Sequence, residues 1–167
     1  MFKRSLAIVG VVFVLLCGTA RSETVLVTGS NRGIGFEFVK QYAERGWTVI
    51  ATARNPEKAE ALKALAAHHA NITIEKLDVS KDDEIAALVT KYKGQPIDIL
   101  INNAGISGGS VKYQMPHNLK YDVLYEVIKV NAVGPLKMAE AFEENVLASR
   151  RKMVMNVSSG QGSLTRA

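Results

Sequence analysis

A glycine-rich segment between an apolar run and a helix-like run constrains the fold of this chain more than any other feature. The segment reads Thr28-Gly29-Ser30-Asn31-Arg32-Gly33-Ile34-Gly35; the apolar run 24–27 precedes it and the amphipathic run 36–42 follows it. Glycine permits a tight turn and a close approach of backbone to ligand, and a helix N-terminus offers unpaired N–H groups to an anion. The order of strand, glycine turn and helix therefore predicts a site for the phosphate groups of a nucleotide.

Apolar strands alternate with amphipathic helices along the rest of the chain. Strands are predicted at 24–28, 47–52, 72–77, 97–101 and 153–157, and a long apolar helix at 119–147, interrupted near Gly134-Pro135. This alternation predicts an α/β fold, a doubly wound parallel sheet of the Rossmann type with strand order 3-2-1-4-5. The ligand crevice should lie at the carboxyl ends of strands 1 and 4, where the winding reverses.

Two helix starts are predicted from capping patterns. Asn55 followed by Pro56 is typical of a helix that begins with a capping residue and a proline in its first turn. Ser80, with Asp83 three residues later, resembles a capping box.

The N-terminal residues 1–22 are predicted to form a signal peptide or an N-terminal membrane anchor, followed by one domain at 23–167. Lys3 and Arg4 precede a short apolar run at 6–18, and Gly18 and Ala20 supply the small residues of a cleavage site. The run is short for a membrane-spanning helix, which needs about 20 residues. The protein is therefore expected to be exported, to the periplasm or the outside, or to be anchored in a membrane.

Charge and metal-ligand patterns exclude two classes of function. The formal net charge is +5, but acidic and basic residues are interspersed and no basic block occurs, so no nucleic-acid partner is predicted. His68 and His69 lie at the polar end of a predicted helix without further ligand-type residues at a suitable spacing. No metal site is predicted.

The end of the second strand indicates which dinucleotide would bind. About twenty residues past the glycines, an acid would bind a ribose 2′-hydroxyl, whereas an arginine accommodates a 2′-phosphate. This chain has Arg54 there, with no acid before Glu57, and Arg32 within the glycine segment. We therefore predict NADP rather than NAD; the alternative is that Arg54 is only a solvated residue at a strand end.

Five short motifs, in this order, resemble those of the short-chain dehydrogenase/reductase family. They are the glycine segment 28–35, Asp78-Val79, Asn102-Asn103-Ala104-Gly105, Asn131 within residues 130–135, and Asn156-Val157-Ser158-Ser159. The resemblance extends from about Thr24 to the end of the chain. It is most similar to the branch that contains the C-factor and sniffer proteins.

The resemblance implies a role for each motif. Ser159 would be catalytic and hydrogen-bond the substrate oxygen, while Ser158 would be an ordinary strand-end residue. Asn131, also assigned to catalysis, would interrupt its helix and hold a water in a proton relay; without the other motifs it would be an ordinary polar residue at a helix kink. The cofactor-binding residues would be Gly29, Ser30, Asn31, Arg32, Gly33, Ile34, Gly35, Arg54, Asp78, Val79, Asn103, Ala104 and Gly105.

One part of the family pattern is missing from these 167 residues. The family's general acid is a tyrosine, with a lysine four residues later. This pair is expected about a dozen residues after the serine, and residues 160–167 contain neither a tyrosine nor a lysine. Tyr125 and Lys129 have the right spacing but precede Ser159, so we expect a packed tyrosine beside a solvated lysine. The chain is therefore expected to be the front two-thirds of a longer enzyme, weakly active or inactive alone, with its fifth strand exposed at the sheet edge.

The function implied is an NADP-dependent oxidoreductase that interconverts a small-molecule carbonyl compound and an alcohol by hydride transfer. Homo-oligomers are a family expectation. The alternative is a dinucleotide-binding or signalling protein without catalysis. An exported location conflicts with the expected cofactor, because secreted and periplasmic compartments are poor in NADPH. A membrane anchor that keeps the domain on the cofactor-rich side of the membrane would resolve this conflict.

Overall fold

The computed structural model describes residues 21–110, 112 and 115–159. The predicted leader therefore lies outside the described residues, except for Arg21 and Ser22. Among the described residues, no helix combines the length and the apolar character that crossing a membrane requires.

Five strands form one parallel sheet in the order β3-β2-β1-β4-β5, which confirms the predicted topology. The strands are β1 (Thr24–Val27), β2 (Thr48–Ala53), β3 (Ile72–Lys76), β4 (Ile99–Asn102) and β5 (Met153–Asn156). Val25 of β1 lies between Val49 of β2 and Ile99 of β4 in the register. The central strand β1 is thus paired on both edges by strands reached through crossovers in opposite directions, which is the arrangement that creates a crevice at the carboxyl ends.

Helices cover both faces of the sheet. They are α1 (Gly33–Glu44), α2 (Glu60–His68), α3 (Asp82–Lys91), α4 (Tyr121–Ile128), α5 (Gly134–Ala141) and α6 (Glu143–Leu147). Successive residues of β1 point to opposite faces, so Leu26 packs in the core with α3 and α5 residues, and Val25 and Val27 in the core with α1 and α2 residues. Burial on both faces explains why the inner strands are apolar throughout rather than alternating.

The predicted long helix at 119–147 is interrupted near Gly134-Pro135, as predicted. A π-helical segment, Lys129–Val133, joins α4 to α5 and ends directly before Gly134. Pro135 has no N–H to donate, which the first turn of a helix tolerates.

Asn55 and Pro56 begin a helix as predicted, but a short 3-10 helix without a side-chain cap, and the predicted capping box at Ser80 is wrong. Residues Pro56–Lys58 form a short 3-10 turn. The helical conformation is interrupted at Ala59, and α2 begins only at Glu60. Helix α3 begins at Asp82, and the Ser80 hydroxyl donates to the Asp78 carboxylate, 2.7 Å away, instead of capping the helix. The Asp78 carboxylate therefore competes successfully with the helix terminus for the Ser80 hydroxyl.

Strand β5 forms an exposed edge, as predicted. It pairs with β4, and Met153, Val154 and Met155 are 36–40% exposed, whereas every residue of β4 is buried. An exposed edge strand presents unpaired backbone N–H and C=O groups on its outer side.

Candidate functional site

A crevice of about 560 Å³ opens at the carboxyl ends of the inner strands. Its walls come from the loop after β1, the segment after β2, the residues after β3 and the loop after β4. The structure brings together all of the predicted cofactor residues except Ser30 in this lining. The lining residues are Gly29, Asn31, Arg32, Gly33, Ile34, Gly35, Arg54, Asn55, Lys58, Leu77, Asp78, Val79, Asn103, Ala104, Gly105, Ile106 and Val130.

Thr28 connects the two loops that meet at the centre of the crevice. Its hydroxyl accepts hydrogen bonds from the backbone N–H groups of Asn103 (2.9 Å) and Ala104 (3.0 Å), and donates to the carbonyl of Ile101 (3.3 Å). Thr28 is 1% exposed, so these bonds satisfy backbone groups that water reaches poorly. One buried hydroxyl therefore fixes the loop after β4 against the end of β1.

Asn103 holds the glycine loop from the other side. Its side-chain amide donates to the carbonyl oxygens of Thr28 and Gly29, both at 3.0 Å. Gly35 must be glycine here, because a Cβ at this position would lie 2.5 Å from the Gly29 carbonyl oxygen and would also overlap the Asn103 amide. Helix α1 can therefore begin against the loop, which directs its first N–H groups toward the crevice.

Ser30, which was predicted to bind the cofactor, does not line the crevice. It is fully buried, and its hydroxyl and its backbone N–H both donate to the carbonyl of Thr52, at 2.9 and 2.8 Å. The side chain thus ties the loop to the end of β2 rather than lining the crevice. A serine hydroxyl beside a strand-end carbonyl commonly donates to that backbone group instead of to a ligand.

The crevice wall carries three cations and one acid among the described residues: Arg32, Arg54 and Lys58, with Asp78. Burial alone would raise the pKa of Asp78. The two hydrogen bonds from Ser80 and the charges of Arg54 and Lys81 outweigh it, so its pKa lies below the ordinary value. The wall is therefore net positive even with Asp78 ionised, which favours a multiply charged anion.

Asn131 lies in the π-helical segment and binds the loop after β4. Its side-chain oxygen accepts from the N–H of Ile106 (2.9 Å), and its side-chain nitrogen donates to the Ile106 carbonyl (2.8 Å). The predicted interruption of the helix is confirmed. Both ends of the carboxamide bond to Ile106, so in this structure the side chain positions a crevice residue; the predicted water in a proton relay stays a prediction.

The residues predicted for catalysis are not all adjacent to the crevice. Ser159 lies three residues beyond β5, is exposed, and is not among the crevice-lining residues. Tyr125 is 65% exposed, so the prediction of a packed tyrosine is wrong; Lys129 is exposed, as predicted. Tyr125 borders a second, open cavity of about 910 Å³ between α4 and the loop after β4.

No group of three or more His, Cys, Asp or Glu side chains in the described part of the chain could hold a metal ion.

Comparison with known proteins identifies the family. A family model described as short chain dehydrogenase matches residues 23–167. The chain belongs to the short-chain dehydrogenase family. It is 35% identical over 160 residues to (+)-neomenthol dehydrogenase of Arabidopsis thaliana, a match that covers 83% of this chain and 54% of that enzyme. The chain therefore spans about half the length of this curated relative.

Solved structures of similar proteins share the dehydrogenase fold. An NADPH-bound carbonyl reductase from chicken fatty liver is 33% identical, with a TM-score of 0.77 over 87% of this chain and 62% of that one. The Sniffer protein of Caenorhabditis elegans is 28% identical, with a TM-score of 0.76 over 88% of this chain and 67% of that one. These matches confirm the predicted family and Rossmann topology.

Several residues that shape the crevice were not predicted from the sequence as site residues. Thr28 was part of the glycine motif, but its three hydrogen bonds depend on the loop after β4, which is over seventy residues away. Asn55, Lys58 and Val130 line the crevice because a 3-10 turn and a π-helical segment direct them there. A signal for Lys58 did exist: it is the next basic residue after Arg54, only four positions on.

Proposed function

We propose that the crevice binds NADP(H) and that the complete protein is an oxidoreductase interconverting a carbonyl compound and an alcohol. The observation that carries this proposal is the charge at the end of β2. Arg54 and Arg32 line the crevice, and no acidic side chain follows β2 before Glu57, which is outside the lining. An acid at that position would favour the ribose hydroxyls of NAD, whereas arginine favours a 2′-phosphate.

The described residues fit a dinucleotide. Gly33 has a φ of +58°, and a Cβ built on it meets nothing within 4 Å, so the backbone there is open to a close-lying ligand. The start of α1 is suited to the diphosphate. In the family pattern, Asp78 and Val79 lie beside the adenine, and Asn103, Ala104 and Gly105 lie toward the nicotinamide.

The reaction chemistry is supplied by the cofactor, whose nicotinamide donates or accepts a hydride when bound. The contribution of this chain is to bind and orient. Asn131 fixes the loop at Ile106, and Thr28 and Asn103 fix the two loops to each other. Ser159, in the family's serine motif, is proposed to hydrogen-bond the oxygen of the substrate. The similarity of the chain to the NADPH-bound carbonyl reductase from chicken supports the choice of cofactor.

Turnover by the complete protein tests the proposal. We expect NADPH-dependent reduction of members of a panel of aldehydes and ketones, with a Michaelis constant for NADPH at least about ten-fold below that for NADH, a difference of about 1.4 kcal/mol. Ser159→Ala should lower kcat, while Ser158→Ala serves as the matched control and should retain activity. NADPH binding without turnover of any carbonyl substrate would instead favour a dinucleotide-binding or signalling protein.

A further inference from the structure

Basic residues gather where the strands of the sheet begin, at the end opposite to the crevice. Because the sheet is parallel throughout, the segments that lead into its strands lie along one edge. These segments form a surface that we call the amino-end face: residues 21–23, 45–47, 69–71, 92–98 and 148–152, which precede β1 to β5 in turn. Its cations are Arg21, Arg45, Lys93, Arg150, Arg151 and Lys152, and its acids are Glu23 and Asp98.

The two acids of the amino-end face do not offset this positive charge. Asp98 is 7% exposed, and its carboxylate accepts hydrogen bonds from two backbone N–H groups, at 2.9 and 3.3 Å. Glu23 is engaged by Arg151, whose guanidinium donates to both carboxylate oxygens at 2.7 and 3.0 Å, and Arg150 approaches it to 3.9 Å. Glu44, the last residue of α1, is an exposed acid beside the face. The face therefore presents a surplus of exposed cations to solvent.

Contacts between the segments hold the amino-end face in one arrangement. The Arg151 guanidinium lies 5.1 Å from the centre of the Trp47 ring, and the Asn71 side-chain amide donates to the Trp47 carbonyl at 2.7 Å. Lys152 has a φ of +51°, in the left-handed region where glycine would be less strained. A strained backbone at an exposed, charged position favours a role for the side chain.

The composition of the amino-end face suits the boundary between water and lipid. None of its residues lines either of the cavities described above. Trp47 is half-buried, and Leu147, which ends α6 beside the face, is 56% exposed, so apolar surface lies among the cations. Tryptophan and basic side chains settle at the headgroup level of a bilayer, and basic clusters are attracted to anionic lipids.

The chain enters the fold at this same face. Arg21 and Ser22 lead directly into β1, and the Ser22 hydroxyl donates to the Gly46 carbonyl at 2.7 Å. The apolar run 6–18 ends only three residues before Arg21 in the sequence, and three peptide units span about 11 Å at full extension. A membrane that this run enters would therefore meet the amino-end face before any other part of the domain.

We propose that the amino-end face docks on the surface of a bilayer that contains anionic phospholipids. The lipid phosphates supply the charges that the cations of the face lack, and Trp47 and Leu147 contact the headgroup region. The crevice, at the opposite ends of the strands, then faces away from the bilayer and stays open to dissolved ligands. The inference does not depend on which ligand the crevice binds.

Binding of the complete protein to lipid vesicles tests the proposal. Vesicles of phosphatidylcholine alone, and of phosphatidylcholine with phosphatidylserine, are sedimented with the wild type and with a face variant that combines Arg45→Gln, Arg150→Gln and Lys152→Gln. We expect the wild type to bind the phosphatidylserine vesicles, and the face variant to bind them at least about ten-fold more weakly in about 0.1 M salt.

A matched control variant combines Lys40→Gln, Lys63→Gln and Lys129→Gln. It removes the same charge from exposed positions outside the amino-end face, and it should bind the vesicles like the wild type. Any contribution of residues 1–20 is common to all three proteins, so the comparison reports on the face. Urea unfolding midpoints equal to that of the wild type verify that both variants are folded.

Trp47 provides a second readout, because it is the only tryptophan of these 167 residues. Phosphatidylcholine brominated in its acyl chains is included in the phosphatidylserine vesicles, and the emission of Trp47→Phe is subtracted to isolate the signal of Trp47. The bromolipid should quench Trp47 in the wild type and in the control variant, but not in the face variant. This readout also decides the case in which residues 1–20 alone hold every variant on the vesicles.

Three results would overturn the inference. The first is equal quenching of Trp47, or its absence, in the wild type and the face variant. The second is equal loss of vesicle binding in the face variant and the control variant, which would mean that only the net charge matters. The third is binding of double-stranded DNA that the face variant loses, without binding to phosphatidylserine vesicles, which would assign the face to nucleic acid. NADPH affinity, measured in parallel, tests the proposed function separately.

Discussion

Asn103 and Thr28 join the loops after β4 and β1 through two hydrogen bonds. The Asn103 N–H donates to the Thr28 hydroxyl at 2.9 Å, and the Asn103 side-chain amide donates to the Thr28 carbonyl at 3.0 Å. The pair lies where the two halves of the doubly wound sheet diverge. The shape of the crevice therefore depends on a polar network as well as on the apolar core.

Replacing Thr28 tests that network. Thr28→Val keeps the shape of the side chain but removes the acceptor of the Asn103 and Ala104 N–H groups. The expected loss in the free energy of unfolding is about 2 kcal/mol, since two partly buried donors are left unsatisfied. Thr28→Ser retains the hydroxyl and should lose less than about 1 kcal/mol. Urea unfolding gives both values; equal losses would show that the hydroxyl is not the important group.

Gly35 tests the close contact between α1 and the glycine loop. A Cβ there would lie 2.5 Å from the Gly29 carbonyl oxygen, so Gly35→Ala must displace the loop. We expect a loss of about 1–3 kcal/mol in stability from overpacking, and NADPH affinity at least about ten-fold weaker.

Gly46 provides the matched control for that substitution. It has a φ of +78° but open space around its Cβ position, and it lies beyond the far end of α1. Gly46→Ala should cost about 1 kcal/mol through backbone strain and leave NADPH affinity unchanged. Equal NADPH affinity in both variants would contradict the close-contact account of Gly35.

The sequence predicted the fold well because each strand and helix carries its own local pattern. Continuous apolar runs predicted β1, β2 and β4, and the glycine segment predicted which strand ends form the crevice. Partners of polar side chains were harder to predict. The Ser30 hydroxyl donates to the Thr52 carbonyl, and the Ser80 hydroxyl donates to Asp78 instead of capping α3. A hydroxyl bonds to the acceptor that lies nearest in the folded structure, which the sequence alone does not show.

Tyr125 shows the same limit of prediction from sequence, here for the burial of a side chain. A tyrosine on a helix rich in apolar residues was predicted to pack, but it is 65% exposed, and its ring centroid lies 6.4 Å from that of Tyr121. The sequence pattern alone does not show which apolar helix face meets the sheet.

Asp78 should make the stability of the protein depend on pH in acid. Its folded-state pKa lies below the ordinary value of 3.8, so its carboxylate stabilises the fold above that pH, and the contribution is lost as the pH falls through the folded-state pKa. Asp78→Asn should therefore flatten the fall in the free energy of unfolding below about pH 4. Ser80→Ala, which removes the bond from the hydroxyl, should flatten it partly. Urea unfolding of the ligand-free variants from pH 6 to pH 3 measures this; an unchanged slope in Asp78→Asn would contradict the assignment.

Tyr92 stabilises a buried carboxylate between β3 and α3. Its hydroxyl donates to Glu75 at 2.7 Å, and Glu75 is only 8% exposed. Burial, followed by the bond to Glu75 and its charge, raises the pKa of Tyr92 well above 10. Tyr92→Phe should lower the free energy of unfolding by about 1–3 kcal/mol, because the carboxylate loses a donor.

Tyr121→Phe is the control for that substitution. Tyr121 is 63% exposed, and loss of its hydroxyl should change the free energy of unfolding by less than about 0.5 kcal/mol. Losses of the same size in both variants would mean that the bond between Tyr92 and Glu75 contributes nothing specific.

Because the raised pKa of Tyr92 keeps it protonated in the folded state, the wild type should also lose stability as the pH rises above about 10.

The most direct test of the central claim is the ratio of the dissociation constants of NADPH and NADH, measured by calorimetry for the wild type and for Arg54→Asp. Arg54 lines the crevice at the end of β2, and the substitution supplies the acid that would instead bind ribose hydroxyls. We predict that the wild type binds NADPH at least about ten-fold more tightly than NADH and that Arg54→Asp removes this preference. A wild type that binds NADH as tightly as NADPH, or more tightly, would contradict the account.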